Sequence, residues 1–130
     1  MIVDTSALVA IVTGEEDGPA FARAIDRAKV VRMSAATYVE ASVVVNRRRD
    51  PALAMRFDDL LEETDFVIEP VTVEQARIAR QAYRDYGRGS GHAANLNYGD
   101  CFSYALARSL REPILFKGGD FVHTDLRPAI

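Results

Sequence analysis

The chain has 130 residues, a formal net charge of −3 and an apolar content of 48%, which together suit one compact domain with its own core. The negative charge excludes a general basic field for nucleic acid, although a local basic patch would still suffice. A single cysteine excludes an intrachain disulfide, and no apolar run approaches the ~20 residues needed to cross a bilayer. We therefore expect one domain over residues 1–130, located in the cytoplasm and not in a membrane.

The N-terminal stretch predicts a short strand followed at once by a helix. Ile2 and Val3 are β-branched, as suits a buried strand, and Asp4 then interrupts the apolar run. Thr5 or Ser6 is the expected N-cap of the helix. Asp4 thus lies where a strand ends and a helix begins, which is the edge of an open α/β sheet where ligands bind.

Three more strands and five more helices are predicted along the chain. Short apolar segments predict the strands at 30–33, 66–68 and 114–116. Helical periodicity predicts the helices at 21–28, 35–48, 51–61, 73–86 and 99–110. Ser34 is expected to cap the helix that follows it, Gly87 to close its helix at the C′ position, and the tail to Ile130 to add an edge strand. The alternation predicts an α/β fold with a parallel sheet flanked by helices.

Two loops carry patterns with a functional and a plainer interpretation. The acids Glu15, Glu16 and Asp17 could bind a ligand, but acids before a helix more often favour its N-terminal dipole. Glycines 87, 89 and 91 resemble a phosphate loop only superficially, because they follow a helix rather than a strand. We expect residues 88–98 to form a flexible surface loop.

Four acids are predicted to meet at one edge of the sheet. Asp4 and Asp120 each follow a strand, and parallel strands end at the same edge. Glu40 and Asp100 lie early in helices that are expected to begin at that edge. Taken singly, Asp4 is an edge cap, Asp100 a helix-start carboxylate and Asp120 a turn residue. Glu40, with its apolar neighbours, is the acid that most needs a partner.

Clustered carboxylates resist joint ionisation, and a divalent cation is the natural compensation. Mg²⁺ prefers oxygen ligands and often bridges to phosphate, and the sequence has only two histidines and no convincing zinc pattern. The pattern therefore predicts a metal site that could hydrolyse a phosphodiester.

Four segments, in order and at suitable spacing, resemble the PIN-domain ribonuclease toxins of the VapC type. They are 1–8 (MIVDTSAL), 38–41 (YVEA), 97–105 (NYGDCFSYA) and 115–121 (LFKGGDF). The resemblance implies a three-layer α/β/α fold with a mainly parallel sheet. It also implies a Mg²⁺-dependent endoribonuclease, with Mn²⁺ as a substitute, that acts as the toxin of a pair with a VapB-type antitoxin.

By position, the resemblance makes Asp4, Glu40, Asp100 and Asp120 the metal-binding acids, with Ser6 as a supporting hydroxyl. It further implies a homodimer or a toxin–antitoxin hetero-oligomer. Gly119 departs from the family, which often has Asn or Asp there, and this leaves one metal or two open. Asp125 competes with Asp120 for the fourth position.

The basic residues have two interpretations. Arg47, Arg48, Arg88 and Lys117 could contact the RNA backbone, or they could be solvated surface charges. Two other functions also remain open at this point: a PIN-like module that binds a partner without cutting RNA, and a phosphotransfer domain with Asp4 as acceptor. Ser6 lies where the phosphatase version of the latter would need a second acid.

Overall fold

The computed structural model describes all 130 residues and contains four strands, six α-helices and one 3-10 helix. In chain order the elements are β1 Ile2–Val3, α1 Thr5–Thr13, α2 Gly18–Arg27, β2 Arg32–Ser34, α3 Ala35–Arg47, α4 Pro51–Thr64, β3 Val67–Glu69, α5 Val73–Tyr86, α6 Asp100–Leu110, β4 Ile114–Leu115 and a 3-10 helix Phe121–His123. The predicted order of strands and helices is confirmed, with differences of a few residues at several ends.

The four strands form one parallel sheet in the order β3-β2-β1-β4. The first strand therefore lies inside the sheet, where Ile2 is in register with Arg32 on one side and Ile114 on the other. Parallel neighbours require crossover connections, and the intervening helices supply them. The predicted α/β class is confirmed, and the sheet is parallel throughout.

Helices cover both faces of the sheet, which gives three layers. Successive strand residues point to opposite faces, so Ile2 and Ile114 enter one core while Val3 and Leu115 enter the other. The first core also contains buried residues of α5 and α6, among them Ala79, Tyr104 and Leu106. The second contains residues of α1 to α4, among them Leu8, Phe21, Ala41 and Phe57. Apolar side chains on both faces explain why such short strands can form a sheet.

Local sequence signals set several of the element ends. The Ser34 side chain accepts a hydrogen bond from the Ala36 amide at 3.2 Å, as expected of an N-cap. Pro51 is the first residue of α4, and Asp50 caps that helix by accepting from the Ala52 amide at 2.9 Å. No helix is both long enough and apolar enough to cross a membrane.

Three local expectations are wrong. Asp4, not Thr5 or Ser6, caps α1, because the strand ends at Val3 and Asp4 keeps an extended backbone before the first helical residue. Gly87 is extended, with φ −74°, because it forms a bridge to Leu96 instead of a left-handed cap. The tail adds no edge strand: Pro128 makes only an isolated bridge to Ile114, since β4 is too short to support a longer ladder.

The segment 88–98 is more than a flexible surface loop. Its base is closed by two backbone hydrogen bonds, from Arg88 to the Leu96 carbonyl and from Leu96 to the Tyr86 carbonyl, each 2.9 Å long. Ala94 and Leu96 are fully buried in the core beside α5 and α6. This anchoring holds the residues that lead into α6.

Candidate active site

Asp4 divides its carboxylate between two tasks. Its side chain is buried, and Oδ2 accepts hydrogen bonds from the Ser6 amide at 2.9 Å and the Ser6 hydroxyl at 2.6 Å. The same hydroxyl accepts a 3.0 Å hydrogen bond from the Lys117 amide, which fixes its orientation. Oδ1 is buried and has no hydrogen-bond partner. A buried acceptor without a partner is costly, so Oδ1 is the atom that calls for a ligand.

Glu40 has the partner that its apolar surroundings require. Its Oε2 accepts a 2.8 Å hydrogen bond from the Thr5 hydroxyl, which joins α3 to the first turn of α1. Burial raises the pKa of Glu40 above its usual value; the bond from Thr5 opposes that rise, and the charge on Asp4 adds to it. Gly99 packs against this carboxylate so closely that any side chain at position 99 would collide with it.

Asp100 is held by a reciprocal pair of hydrogen bonds at the start of α6. Its Oδ2 accepts from the Asn97 amide at 2.7 Å, and its own amide donates to Asn97 Oδ1 at 3.0 Å. Burial raises the pKa of Asp100 to about 6, and the charges of three other acids add to the rise. Those acids are Asp4, Asp120 and Glu40. The other three predicted site acids are therefore near enough for their charges to act on Asp100.

Asp120 and Asp125 occupy different surroundings. Asp120 is half-buried just before the 3-10 helix, and its charge acts on Asp100. Asp125 instead accepts a 2.6 Å hydrogen bond from the Tyr104 hydroxyl and pairs with Arg108 at 3.1 Å. These contacts fasten the C-terminal tail to α6, so the geometry favours Asp120 as the fourth acid. Gly119 has open space around its Cα, and nothing in the packing requires a glycine there.

The acids surround a common region but do not converge on one point. No group of three or more acidic, histidine or cysteine side chains forms a ready-made metal site. The donor set nevertheless fits a hard divalent cation, because it consists of carboxylates and includes the unpartnered Oδ1 of Asp4. A cation would also relieve the repulsion that adds to the effect of burial on the pKa of Asp100.

The predicted basic contacts fall into two groups. The side chains of Arg47, Arg48 and Arg88 are exposed. Lys117 instead pairs with Glu15 at 2.6 Å and Asp17 at 3.2 Å. Those two loop acids therefore pair with Lys117 just before α2, and Asp17 makes no side-chain cap on that helix. Their favourable effect on the helix dipole stays a prediction.

Several supporting residues were missed by the sequence analysis. The sequence predicts Thr5 only as a helix cap, yet its hydroxyl donates a hydrogen bond to the Glu40 carboxylate. Asn97 lies three residues before Asp100, a spacing typical of reciprocal capping, which could have revealed it. Beneath the acids, the buried hydroxyls of Thr37 and Ser103 are 3.0 Å apart and join α3 to α6. No local pattern predicts that last contact.

Comparison with known proteins shows the family of this chain. The family model for the PIN domain matches residues 1–126. The ribonuclease VapC28 of Mycobacterium tuberculosis H37Rv is 55% identical over 130 residues, which cover 100% of this chain and 98% of that protein. The ribonuclease VapC42 of the same strain is 54% identical over 129 residues, covering 99% and 98%.

Two solved structures share the fold. The crystal structure of M. tuberculosis VapC20, described as a sarcin-ricin loop cleaving toxin, gives a TM-score of 0.71 at 23% identity, with 98% of both chains covered. A toxin–antitoxin complex from Klebsiella pneumoniae gives 0.69 at 17% identity, covering 95% of this chain and 92% of that one. At these identities the likeness concerns the fold alone.

The chain belongs to the PIN-domain family, in the branch of the VapC ribonucleases. It is accordingly an endoribonuclease of the toxin type. PIN-domain VapC ribonucleases are generally metal-dependent.

Proposed function

We propose that this chain, as a single domain, cuts RNA with Mg²⁺ held by Asp4, Glu40, Asp100 and Asp120. The observation that carries the assignment is the divided carboxylate of Asp4, which has one oxygen fixed by Ser6 and one buried oxygen without a partner. Mn²⁺ also prefers oxygen ligands and is the expected substitute.

Asp4 and Asp100 would hold the principal ion, and Glu40 and Asp120 would complete the site or help bind a second one. Ser6 and Thr5 serve as positioning residues, because their hydroxyls hold the carboxylates of Asp4 and Glu40. When bound, the metal supplies Lewis acidity to the phosphodiester and a charge that neutralises the departing oxygen. Fixed carboxylates need little reorganisation when the metal and the RNA bind.

The basic residues and the partner follow from the same proposal. An acidic pocket repels RNA, so the exposed Arg47, Arg48 and Arg88 are the proposed contacts to its phosphates. Lys117 can join them only by leaving Glu15 and Asp17. We further propose that the chain works in the cytoplasm as a homodimer or in a hetero-oligomer with a VapB-type antitoxin.

Cleavage of a structured RNA tests the metal assignment. We expect the wild type to cut it with Mg²⁺ and to stop when EDTA is added. Asp4→Asn should lower kcat/KM by roughly a hundredfold or more, because several kcal/mol of charge stabilisation is lost and about 1.4 kcal/mol is tenfold. Asp58→Asn is the matched control, since Asp58 is an exposed acid on α4. Equal cleavage by the wild type and Asp4→Asn would show that the assigned site is wrong.

A further inference from the structure

Among the large hydrophobic side chains of the protein, Tyr98 is the most exposed, at 78%. A single exposed apolar group needs no special explanation. The location of Tyr98 does need an explanation, because its neighbour Gly99 packs against the Glu40 carboxylate and the residue after Gly99 is Asp100. Tyr98 is thus one residue from the glycine that contacts Glu40 and two residues from Asp100.

The backbone that carries Tyr98 is fixed on both sides. Asn97 and Asp100 exchange two hydrogen bonds across it, at 2.7 and 3.0 Å. Gly99, between them, is confined by the carboxylate of Glu40. The position of Tyr98 is therefore set by the same contacts that set two of the site acids.

The ring itself is also held in place. It packs against the half-buried Phe102 in a T-shaped pair, with 5.0 Å between the ring centroids and 81° between the planes. Such a pair contributes about 0.5–1.5 kcal/mol beyond the buried area. At 78% exposure, a face of the Tyr98 ring remains open to solvent. A held ring with an open face loses little conformational freedom when a flat partner stacks on it.

The charge around Tyr98 limits what that partner can be. The Glu40 carboxylate packs against the next residue and Asp100 is two residues on, so an approaching phosphate is repelled when no metal is bound. A neutral nucleobase is not repelled by these acids. Stacking of a base on an aromatic ring contributes about 1–3 kcal/mol per base. The Tyr98 ring can therefore bind RNA through an uncharged base, at a place where the neighbouring acids repel phosphate when no metal is bound.

We propose that Tyr98 stacks on a nucleobase next to the phosphodiester that is cut, and so helps to decide where the RNA is cleaved. The proposal rests on the proposed function, because it takes RNA as the substrate of the neighbouring acids. It assigns Tyr98 to substrate binding and gives it no part in the reaction itself.

Steady-state kinetics on the cleaved RNA are the first test. Tyr98→Ala should raise KM about 5- to 150-fold, with kcat changed less than threefold, because stacking holds substrate and transition state alike. Tyr98→Phe should behave as the wild type, since it keeps the ring. Tyr83→Ala is the matched control, an exposed tyrosine on α5 outside the site. Melting temperatures of all variants should agree within a few degrees, because the ring is exposed.

A direct readout of stacking separates this contact from a structural effect. A short RNA with 2-aminopurine beside the mapped cut is bound to Asp4→Asn in EDTA, so that the RNA is not cut during the measurement. Stacking on Tyr98 should quench the fluorescence, and the double variant Asp4→Asn/Tyr98→Ala should lose that quenching. The protein has no tryptophan, so no tryptophan emission overlaps that of 2-aminopurine.

The outcomes distinguish the two proposals. If the wild type fails to cut RNA, the proposed function falls, and with it the premise for Tyr98. If the wild type cuts but Tyr98→Ala keeps its KM and its quenching, only the stacking proposal is overturned.

Discussion

Asp4 shows how one carboxylate can be both a helix cap and a predicted metal ligand. From the sequence these were competing interpretations of the same residue. In the structure the two roles fall on different oxygens. Oδ2 caps α1 by accepting hydrogen bonds from Ser6, and Oδ1 has no hydrogen-bond partner. An asparagine at this position could keep the cap through its carbonyl oxygen but would present an amide where Oδ1 lies. Asp4→Asn is therefore a substitution that affects the free oxygen more than the fold.

Gly99 is the residue whose loss should affect Glu40 most directly. In Gly99→Ala, the new methyl group would collide with the Glu40 carboxylate and push it away from Thr5. The backbone at position 99 is already helical, with φ −64°, so alanine fits the fold. We expect kcat/KM to fall at least about tenfold, as when a positioning contact to a ligand is lost.

The melting temperature of Gly99→Ala should change by only a few degrees, because the displaced atoms end a flexible side chain. Gly119→Ala is the matched control, since nothing lies within 4 Å of the added methyl group. A Gly99→Ala enzyme with wild-type kcat/KM would show that Glu40 can leave its observed position without loss.

At the scale of elements, α3 and α6 bring two of the acids together. Thr37 lies three residues before Glu40, and Ser103 three residues after Asp100, so each hydroxyl shares a helix face with an acid. The 3.0 Å hydrogen bond between the two hydroxyls is buried. It fixes the two helices at a point one turn away from the acids they carry.

A double-mutant cycle measures this link between the helices. Thr37→Val and Ser103→Ala should each lower the free energy of unfolding by about 1–3 kcal/mol, because each leaves a buried hydroxyl without its partner. The double variant should lose clearly less than the sum of the two, since it leaves no orphaned hydroxyl. Urea unfolding gives all four values. Simple additivity would mean that the two hydroxyls stabilise the helices independently.

The elements themselves were largely predictable because their signals are local. The bounds of α5 are those expected, and Ser34 and Pro51 begin their helices as predicted. The failures involve distant partners. Gly87 is extended because it pairs with Leu96, and the tail stops at one bridge because β4 is only two residues long. Neither fact can be read from the residues near the error.

For the whole molecule, the acid cluster opposes folding when no metal is bound. The pKa of Asp100 is about 6 in the folded protein, against an ordinary value of 3.8. Below pH 3.8 Asp100 is protonated in both the folded and the unfolded state, so it does not lower the free energy of unfolding. As the pH rises towards 6 the unfolded chain ionises first, so the metal-free protein loses stability. The raised pKa of Glu40 acts in the same direction, whereas the lowered pKa values of Glu15 and Glu112 act in the other.

At pH 7 in EDTA, Asp100→Asn should therefore be no less stable than the wild type. Its free energy of unfolding should be higher by up to about 3 kcal/mol. The asparagine can still accept the hydrogen bond from the Asn97 amide. The difference between the two proteins should shrink from pH 6 towards pH 4, as urea unfolding across this range would show. If the variant were markedly less stable at pH 7, Asp100 would be chiefly a structural cap.

The candidate site was predictable in its acids but not in its supports. Asp4, Glu40, Asp100 and Asp120 were selected from strand ends and helix starts, and the charges of the other three act on Asp100 as that topology implies. Their functional roles stay predictions. The contacts of Thr5, Gly99 and Ser103 join segments far apart in the chain, so no sequence pattern indicates them. The ion pairs of Lys117 with Glu15 and Asp17 escaped prediction for the same reason.

The two-residue strand β1 has a consequence for how the enzyme becomes active. Ile2 is embedded in one core and Val3 in the other, and Asp4 comes next. The acid is therefore in place only when both halves of the molecule have assembled around those two side chains. Under the proposed function, a copy that is still folding, or that has lost one layer, lacks a complete acid site. For an enzyme of the toxin type, activity is thus expected only of completely folded molecules.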